Sequence, residues 1–122
     1  MPTEYVTIVV YVPLEDTERV RAAMCDAGAG TVDDGRYDRV TYVTPCTLQV
    51  RVLDQAHDRA GATGREVECS QNRIEAICRR ERIEAVVEAI VKAHPHGTPA
   101  ISILPTLTGE FRYWNGGPEC PP

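Results

Sequence analysis

Long hydrophobic runs are missing from this chain, and their absence excludes one class of protein at once. No apolar stretch approaches the roughly 20 residues that a helix needs to cross a bilayer, although 43% of the 122 residues are hydrophobic. The start of the chain, with Thr3 and Glu4, does not resemble a signal peptide. We therefore expect a cytoplasmic protein with no membrane partner.

Positive charge is also scarce. The chain has 13 Lys and Arg residues against 18 Asp and Glu residues, which gives a formal net charge of -5. Phosphate binding needs clustered basic groups, yet Glu81 and Glu84 lie among the densest basic residues, Arg79, Arg80 and Arg82. A solvated junction between a strand and a helix explains this segment better, so we expect no nucleic-acid partner.

The five cysteines show no C-x-x-C spacing, and an odd number of thiols cannot all pair within one chain. Cysteine often acts as a small buried hydrophobe, and we expect Cys25 and Cys78 to do so because they lie on apolar faces. Cys46 follows Pro45 in a predicted loop, so it should be the most exposed thiol. It is a candidate nucleophile, although a reactive thiol also needs a nearby base or cation.

Hydrophobic periodicity predicts a single domain over residues 1–108, followed by a tail rich in glycine and proline over residues 109–122. Amphipathic stripes at helical spacing predict two helices, at residues 14–27 and 81–94. β-Branched runs and alternating patterns predict strands at residues 4–12, 37–43, 48–52, within 65–79, and at 100–104. The segment 54–64 is predicted to be a loop.

This order contains two similar β-α units separated by a hairpin. It predicts a ferredoxin-like α+β sandwich of βαβ-ββαβ order, in which two helices cover one face of an antiparallel sheet. The other face would leave apolar strand residues open to water, either Ile8, Val10 and Val12 or their alternates. A homo-oligomer whose sheets pack together is the simplest cover for that face.

His94 and His96 form the only His-x-His pair of the chain. In an extended segment, side chains at i and i+2 share a face, and two imidazoles there could bind a divalent metal such as copper or zinc. A third ligand would have to come from Cys46, Cys69 or another subunit. Alternatively, His94 is a helix C-terminal residue that the helix dipole favours, and His96 is a turn residue.

A second candidate site combines polar and aromatic groups near the middle of the chain. Tyr37, Arg39 and Tyr42, together with Cys46, suit a small-molecule cleft, and they suit an exposed antiparallel face equally well. A third possibility is Pro2, because tautomerases use an N-terminal proline as a base; this idea is an analogy at the level of the fold.

Three groups of segments, in this order, resemble a known family: YVP at 11–13 with AGAG at 27–30, GREVE at 64–68 with RIE at 73–75, and AHPHGTPA at 93–100. Together they resemble the YqfO-type domain inserted in NIF-three-like proteins. That domain is itself similar to the CutA divalent-cation-tolerance proteins and the PII signal proteins. The resemblance covers nearly the whole chain from Tyr5 to Leu107.

The resemblance implies a ferredoxin-like subunit that forms a homotrimer with clefts between subunits, where CutA is associated with divalent metals and PII binds nucleotides and effectors. The metal motifs of the full-length NIF-three-like enzyme domain are absent here, so its chemistry is not carried over. Two functions therefore remain. One is a binding protein for a divalent metal or a small molecule at inter-subunit clefts. The other is a small enzyme, for example a biosynthetic isomerase or cyclase, with its active site there.

Overall fold

The computed structural model describes residues 4–32, 35–54, 63–96 and 98–106, and these ranges contain four strands and two α-helices. In chain order the elements are β1 (Tyr5–Pro13), α1 (Thr17–Asp26), β2 (Tyr42–Arg51), β3 (Glu66–Arg79), α2 (Ile83–Ala93) and β4 (Ile101–Pro105). In the ranges that the structure describes, no helix has the length and apolar character needed to cross a membrane.

Each helix follows a strand through one turn of 3-10 helix, Leu14–Asp16 before α1 and Arg80–Arg82 before α2. The Thr17 hydroxyl donates a hydrogen bond of 2.9 Å to the Leu14 carbonyl, which tightens the first of these turns. The two helices also contact each other, because the Arg19 guanidinium donates a 2.9 Å hydrogen bond to the Ala93 carbonyl at the end of α2.

The strands form one sheet in the order β2-β3-β1-β4, and every neighbouring pair is antiparallel. Alternate residues of the two central strands lie on the helix side and form the core with α1 and α2; the buried set is Val6, Ile8, Val10, Val12, Val20, Met24, Ala29, Ile74, Ala76, Cys78, Val86 and Ile90. Burying each larger aliphatic side chain contributes about 1.5–3 kcal/mol. The predicted ferredoxin-like sandwich is confirmed.

The predicted division into two strands, 37–43 and 48–52, is wrong, because the structure has a single strand, β2, that starts at Tyr42 and continues through Pro45 to Arg51. Residues 48–51 are in a strand, as predicted. Tyr37 forms only an isolated bridge with Val32. Proline usually interrupts a strand because it lacks an N–H group, but β2 is an edge strand whose outer side has no partner among the strands that the structure describes. The missing donor is therefore tolerated, and the two predicted strands merge into one.

Several sequence-based expectations fall on residues that the structure does not describe. Most of the predicted loop at 54–64 lies outside the described residues, as do the predicted tail at 109–122, the domain boundary at 108 and the candidate base Pro2. These expectations stay predictions.

Candidate functional site

His94 is a buried residue that links the end of α2 to β1. Its side chain is 7% exposed, and its backbone leaves the helix in an extended conformation, with φ -75° and ψ 137°. The ring Nε2 lies 2.9 Å from the Tyr11 carbonyl oxygen, and the His96 backbone N–H donates a 3.1 Å hydrogen bond to Nδ1. Since a carbonyl can only accept, Nε2 carries the proton, and one tautomer satisfies both contacts.

This arrangement bears on the predicted metal site. The rings of His94 and His96 are close, with centroids 5.1 Å apart, but a metal bound to His94 would have to replace one of its two hydrogen bonds. Across the described ranges, no group of three or more His, Cys, Asp and Glu side chains is placed to hold a metal. The His94–His96 pair of one chain therefore does not fit a preformed metal centre.

Arg39 lies in the loop between α1 and β2 and turns toward the helix layer. It is the one non-glycine residue with a positive φ, 59°, in the described part of the chain, and its guanidinium forms an ion pair with Asp26 at the end of α1. The loop is anchored beneath it, because the Val40 N–H donates to the Gly30 carbonyl at 3.0 Å and the Gly30 N–H donates to the Ile77 carbonyl at 2.8 Å.

The other residues of the predicted cleft lie elsewhere. Tyr37 is 39% exposed in the loop, and Tyr42 is 63% exposed at the start of β2. Tyr42 and Cys46 share a face of β2, and their partners Glu75 and Gln71 in β3 lie on the face away from the helices. A single chain therefore does not bring Arg39 together with Tyr42 and Cys46.

The thiols divide into two buried and two accessible ones among the described residues. Cys25 and Cys78 are buried, as the sequence predicts, and burial raises the pKa of both thiols, which makes them poor nucleophiles. The expectation that Cys46 is the most exposed thiol is wrong. Cys46 is half-buried and Cys69 is exposed. Cys46 lies within β2 rather than in a loop, opposite Gln71, where β1 still pairs with β3, whereas Cys69 lies beyond the end of that pairing.

The sheet has a second face, called here the open face, formed by the side chains that point away from both described helices. Tyr5, Thr7, Val9 and Tyr11 of β1 lie on it, since their alternates form the core. Val9 is only 2% exposed on this face. Around it, the Arg73 guanidinium pairs with the Glu75 carboxylate at 2.6 Å, and the hydroxyls of Thr7 and Thr106 lie 2.6 Å apart.

The open face continues onto a two-stranded extension that the sequence analysis does not anticipate. β1 stops pairing with β3 at Gln71, whereas β2 and β3 pair onward through five residues each, 47–51 and 66–70. We call this extension the arm. Its open-face side carries Leu48, Val50, Val67 and Cys69, and its opposite side carries Thr47, Gln49, Arg51, Glu66, Glu68 and Ser70. The arm is therefore amphipathic.

Two signals in the sequence point to the arm. Leu48 and Val50 alternate with polar residues, as do Val67 and Cys69. Only the pairing register shows that both apolar pairs lie on one side and that they extend past the end of β1.

Comparison with known proteins gives the same family resemblance as the motifs. No protein-family profile matches the chain. The chain is 34% identical over 96 residues to the GTP cyclohydrolase 1 type 2 homolog of Mycobacterium tuberculosis, covering 79% of the chain and 25% of that protein. It is 33% identical over 98 residues to the protein of the same name from Bacillus subtilis, covering 80% of the chain and 26% of that protein. The chain thus spans about a quarter of the length of these relatives.

Solved structures extend the comparison. A Bacillus cereus protein related to NIF3 is 31% identical with a TM-score of 0.70, over 87% of this chain and 27% of that one. The periplasmic divalent cation tolerance protein CutA from Archaeoglobus fulgidus is 16% identical with a TM-score of 0.60, over 84% and 83% of the two chains. At that identity the second likeness shows the fold alone. The resemblance to a domain of NIF-three-like proteins and to the CutA fold is confirmed.

Proposed function

We propose that the chain is a self-assembling binding module, in which three copies pack their open faces and arms together and a small-molecule ligand binds in the clefts between copies. One observation carries this proposal: the apolar side of the arm is continuous with the open face, and both described helices pack on the other side of the sheet. The trimer is the assembly that the resemblance to CutA implies.

The energetics of the arm support assembly. An isolated two-stranded ribbon is at best marginally stable in water, and the arm has no third strand among the described residues. Leu48 is 38% exposed in the arm, and Leu104 is 46% exposed on the open face of β4. Each aliphatic side chain of this kind contributes about 1 kcal/mol when a partner surface covers its exposed part. A second copy offers a surface of matching chemistry.

The ligand site follows from the same geometry. Tyr42 and Cys46 lie on the open face beside the Arg73–Glu75 ion pair, so packing of open faces would place aromatic, thiol and charged groups at the margin of the contact. Such a mixture of apolar surface and few polar groups suits a small organic ligand. Arg39, held on the helix side by Asp26, would reach this cleft only from another copy.

Native mass spectrometry of the tag-free protein tests the proposal. We expect a trimer in the wild-type protein, and we expect Leu48→Asp to dissociate it, because the substitution places a charge on the apolar side of the arm. The matched control is Thr47→Asp, which places the same charge one residue away on the polar side. A monomeric wild-type protein, or a trimer that both variants retain equally, would overturn the proposed assembly.

The ligand part has its own readout. A small mass retained by the wild-type trimer and lost in Tyr42→Ala, with the trimer intact, is the expected result. A trimer that carries the same mass in Tyr42→Ala would contradict the proposed cleft.

A further inference from the structure

Two cysteines lie on the open-face side of the sheet near the start of the arm. Cys46 of β2 pairs with Gln71 of β3, and Leu48 pairs with Cys69. Residues 69 and 71 point to the same side of their strand, so the two thiols are diagonal neighbours on the open face. Both are free cysteines, Cys46 half-buried and Cys69 exposed.

The diagonal relation is unfavourable for a disulfide. Diagonal neighbours in an antiparallel pair are about 7–8 Å apart, with somewhat shorter Cβ distances, whereas a disulfide needs Cβ atoms about 3.5–4.5 Å apart. A metal ion between the sulfur atoms spans a wider gap. Bonds from thiolate sulfur to a metal are about 2.3 Å for zinc, so two of them in line separate the sulfur atoms by about 4.6 Å.

We propose that Cys46 and Cys69 form a two-thiolate site for a soft monovalent metal ion, with Cu(I) as the representative ion. Soft thiolate ligands select such ions, and Cu(I) accepts two ligands in line. Binding forms two Cu–S bonds and releases the two thiol protons to solvent; no electron is transferred. Both ligands belong to one chain, so a single copy supplies the whole site. Because both thiols lie on the open-face side that the proposed assembly packs together, a trimer would place the bound ion at the contact between copies.

The surroundings favour this pair over Cys25 and Cys78, the other two cysteines that the structure describes. The residues opposite the two thiols, Gln71 and Leu48, are uncharged, so neither forms an ion pair with a thiolate that a bound metal would have to displace. Cys25 and Cys78 are buried in the helix-side core, and their raised thiol pKa values disfavour the thiolate form that metal binding needs. His94 has both ring nitrogens in hydrogen bonds.

The test is anaerobic competition for Cu(I) between the full chain and a chromogenic Cu(I) chelator. We expect the wild-type protein to take one Cu(I) per chain, and Cys46→Ser and Cys69→Ser each to lose that ion. Removing a residue that only hydrogen-bonds to a metal ligand lowers metal affinity about 10–100-fold. Removing a thiolate that itself binds the metal should therefore lower the Cu(I) affinity by more than this. The matched control is Cys25→Ala, which removes a buried thiol on the helix side of the sheet and should leave the affinity unchanged.

Two results would overturn the site. One is a Cu(I) affinity that is the same in the wild-type protein and in both single variants. The other is a double variant, Cys46→Ser with Cys69→Ser, that still binds one Cu(I) per chain with the wild-type affinity, since it would show that other groups hold the ion. Circular dichroism of the serine variants should match that of the wild-type protein, because both side chains are at least partly exposed. Unfolding of both variants would refute the placement of these thiols.

Discussion

Replacing His94 by alanine should destabilise the domain far more than replacing His96. The His94 ring is 7% exposed and connects two parts of the chain 83 residues apart through its bond to the Tyr11 carbonyl. Truncation leaves that carbonyl and the His96 N–H without their ring partners. Each buried polar group left without a hydrogen-bond partner costs about 1–3 kcal/mol of stability. Tyr11 and His96 are half-buried, so water can replace part of the lost hydrogen bonding. Removal of the packed His94 ring adds a further loss of stability.

We therefore expect His94→Ala to lower the free energy of unfolding by about 2–4 kcal/mol. His96→Ala is the matched control, because it retains the backbone N–H that donates to His94 Nδ1; it should cost less than about 1 kcal/mol. Urea denaturation followed by circular dichroism measures both values. His94→Gln should recover part of the loss, since its amide can still donate toward the Tyr11 carbonyl.

The experiment also separates this structural role from metal binding. If the two histidines held a metal together, both alanine variants would lose similar stability, and a chelator would destabilise the wild-type protein by the same amount. Equal losses in the two variants, or a His94→Ala variant within about 0.5 kcal/mol of the wild-type protein, would refute the hydrogen-bonded arrangement as the reason for burying His94.

Two further predictions concern the backbone and the buried thiols. Gly30→Ala should lower the free energy of unfolding by about 2 kcal/mol or more, because the φ of Gly30 is +85° and a Cβ there would lie 2.7 Å from the Val40 backbone. The control is Gly35→Ala, where φ is +84° but a Cβ would meet open space. It should lower the free energy of unfolding clearly less in the same urea titration. Since burial raises the pKa of Cys25 and Cys78, the unfolded chain should release these thiol protons first. The free energy of unfolding should therefore fall as pH rises above about 8.5. A variant with both Cys25 and Cys78 replaced by alanine should lose this pH dependence, and an unchanged slope of unfolding free energy against pH in that variant would contradict the reasoning.

Much of the fold follows from local patterns. β-Branched runs, alternation and helical stripes depend on which residues lie two, three or four positions apart, and that spacing is the same in the sequence and in the structure. The patterns therefore predict β1, both helices and the burial of Cys25 and Cys78, and the structure confirms them.

The two predicted strands that merge into β2 show where local reasoning stops. Pro45 reads as a strand break, and it is acceptable in β2 only because β2 lies at the sheet edge. Likewise, Cys46 reads as a loop thiol because nothing nearby in sequence reveals its pairing with β3. Edge position and pairing depend on strands that are distant in the chain, and no local pattern contains them.

The candidate sites show the same division. The sequence by itself determined the residue types, the helix end at His94 and the resemblance to a domain of NIF-three-like proteins. Only the tertiary structure decided that His94 bonds to Tyr11, that Arg39 turns to Asp26, and that Cys46 and Cys69 share the open face. The physical reason is that side-chain periodicity is local, whereas hydrogen bonds, ion pairs and strand register join residues that the chain brings together only when it folds.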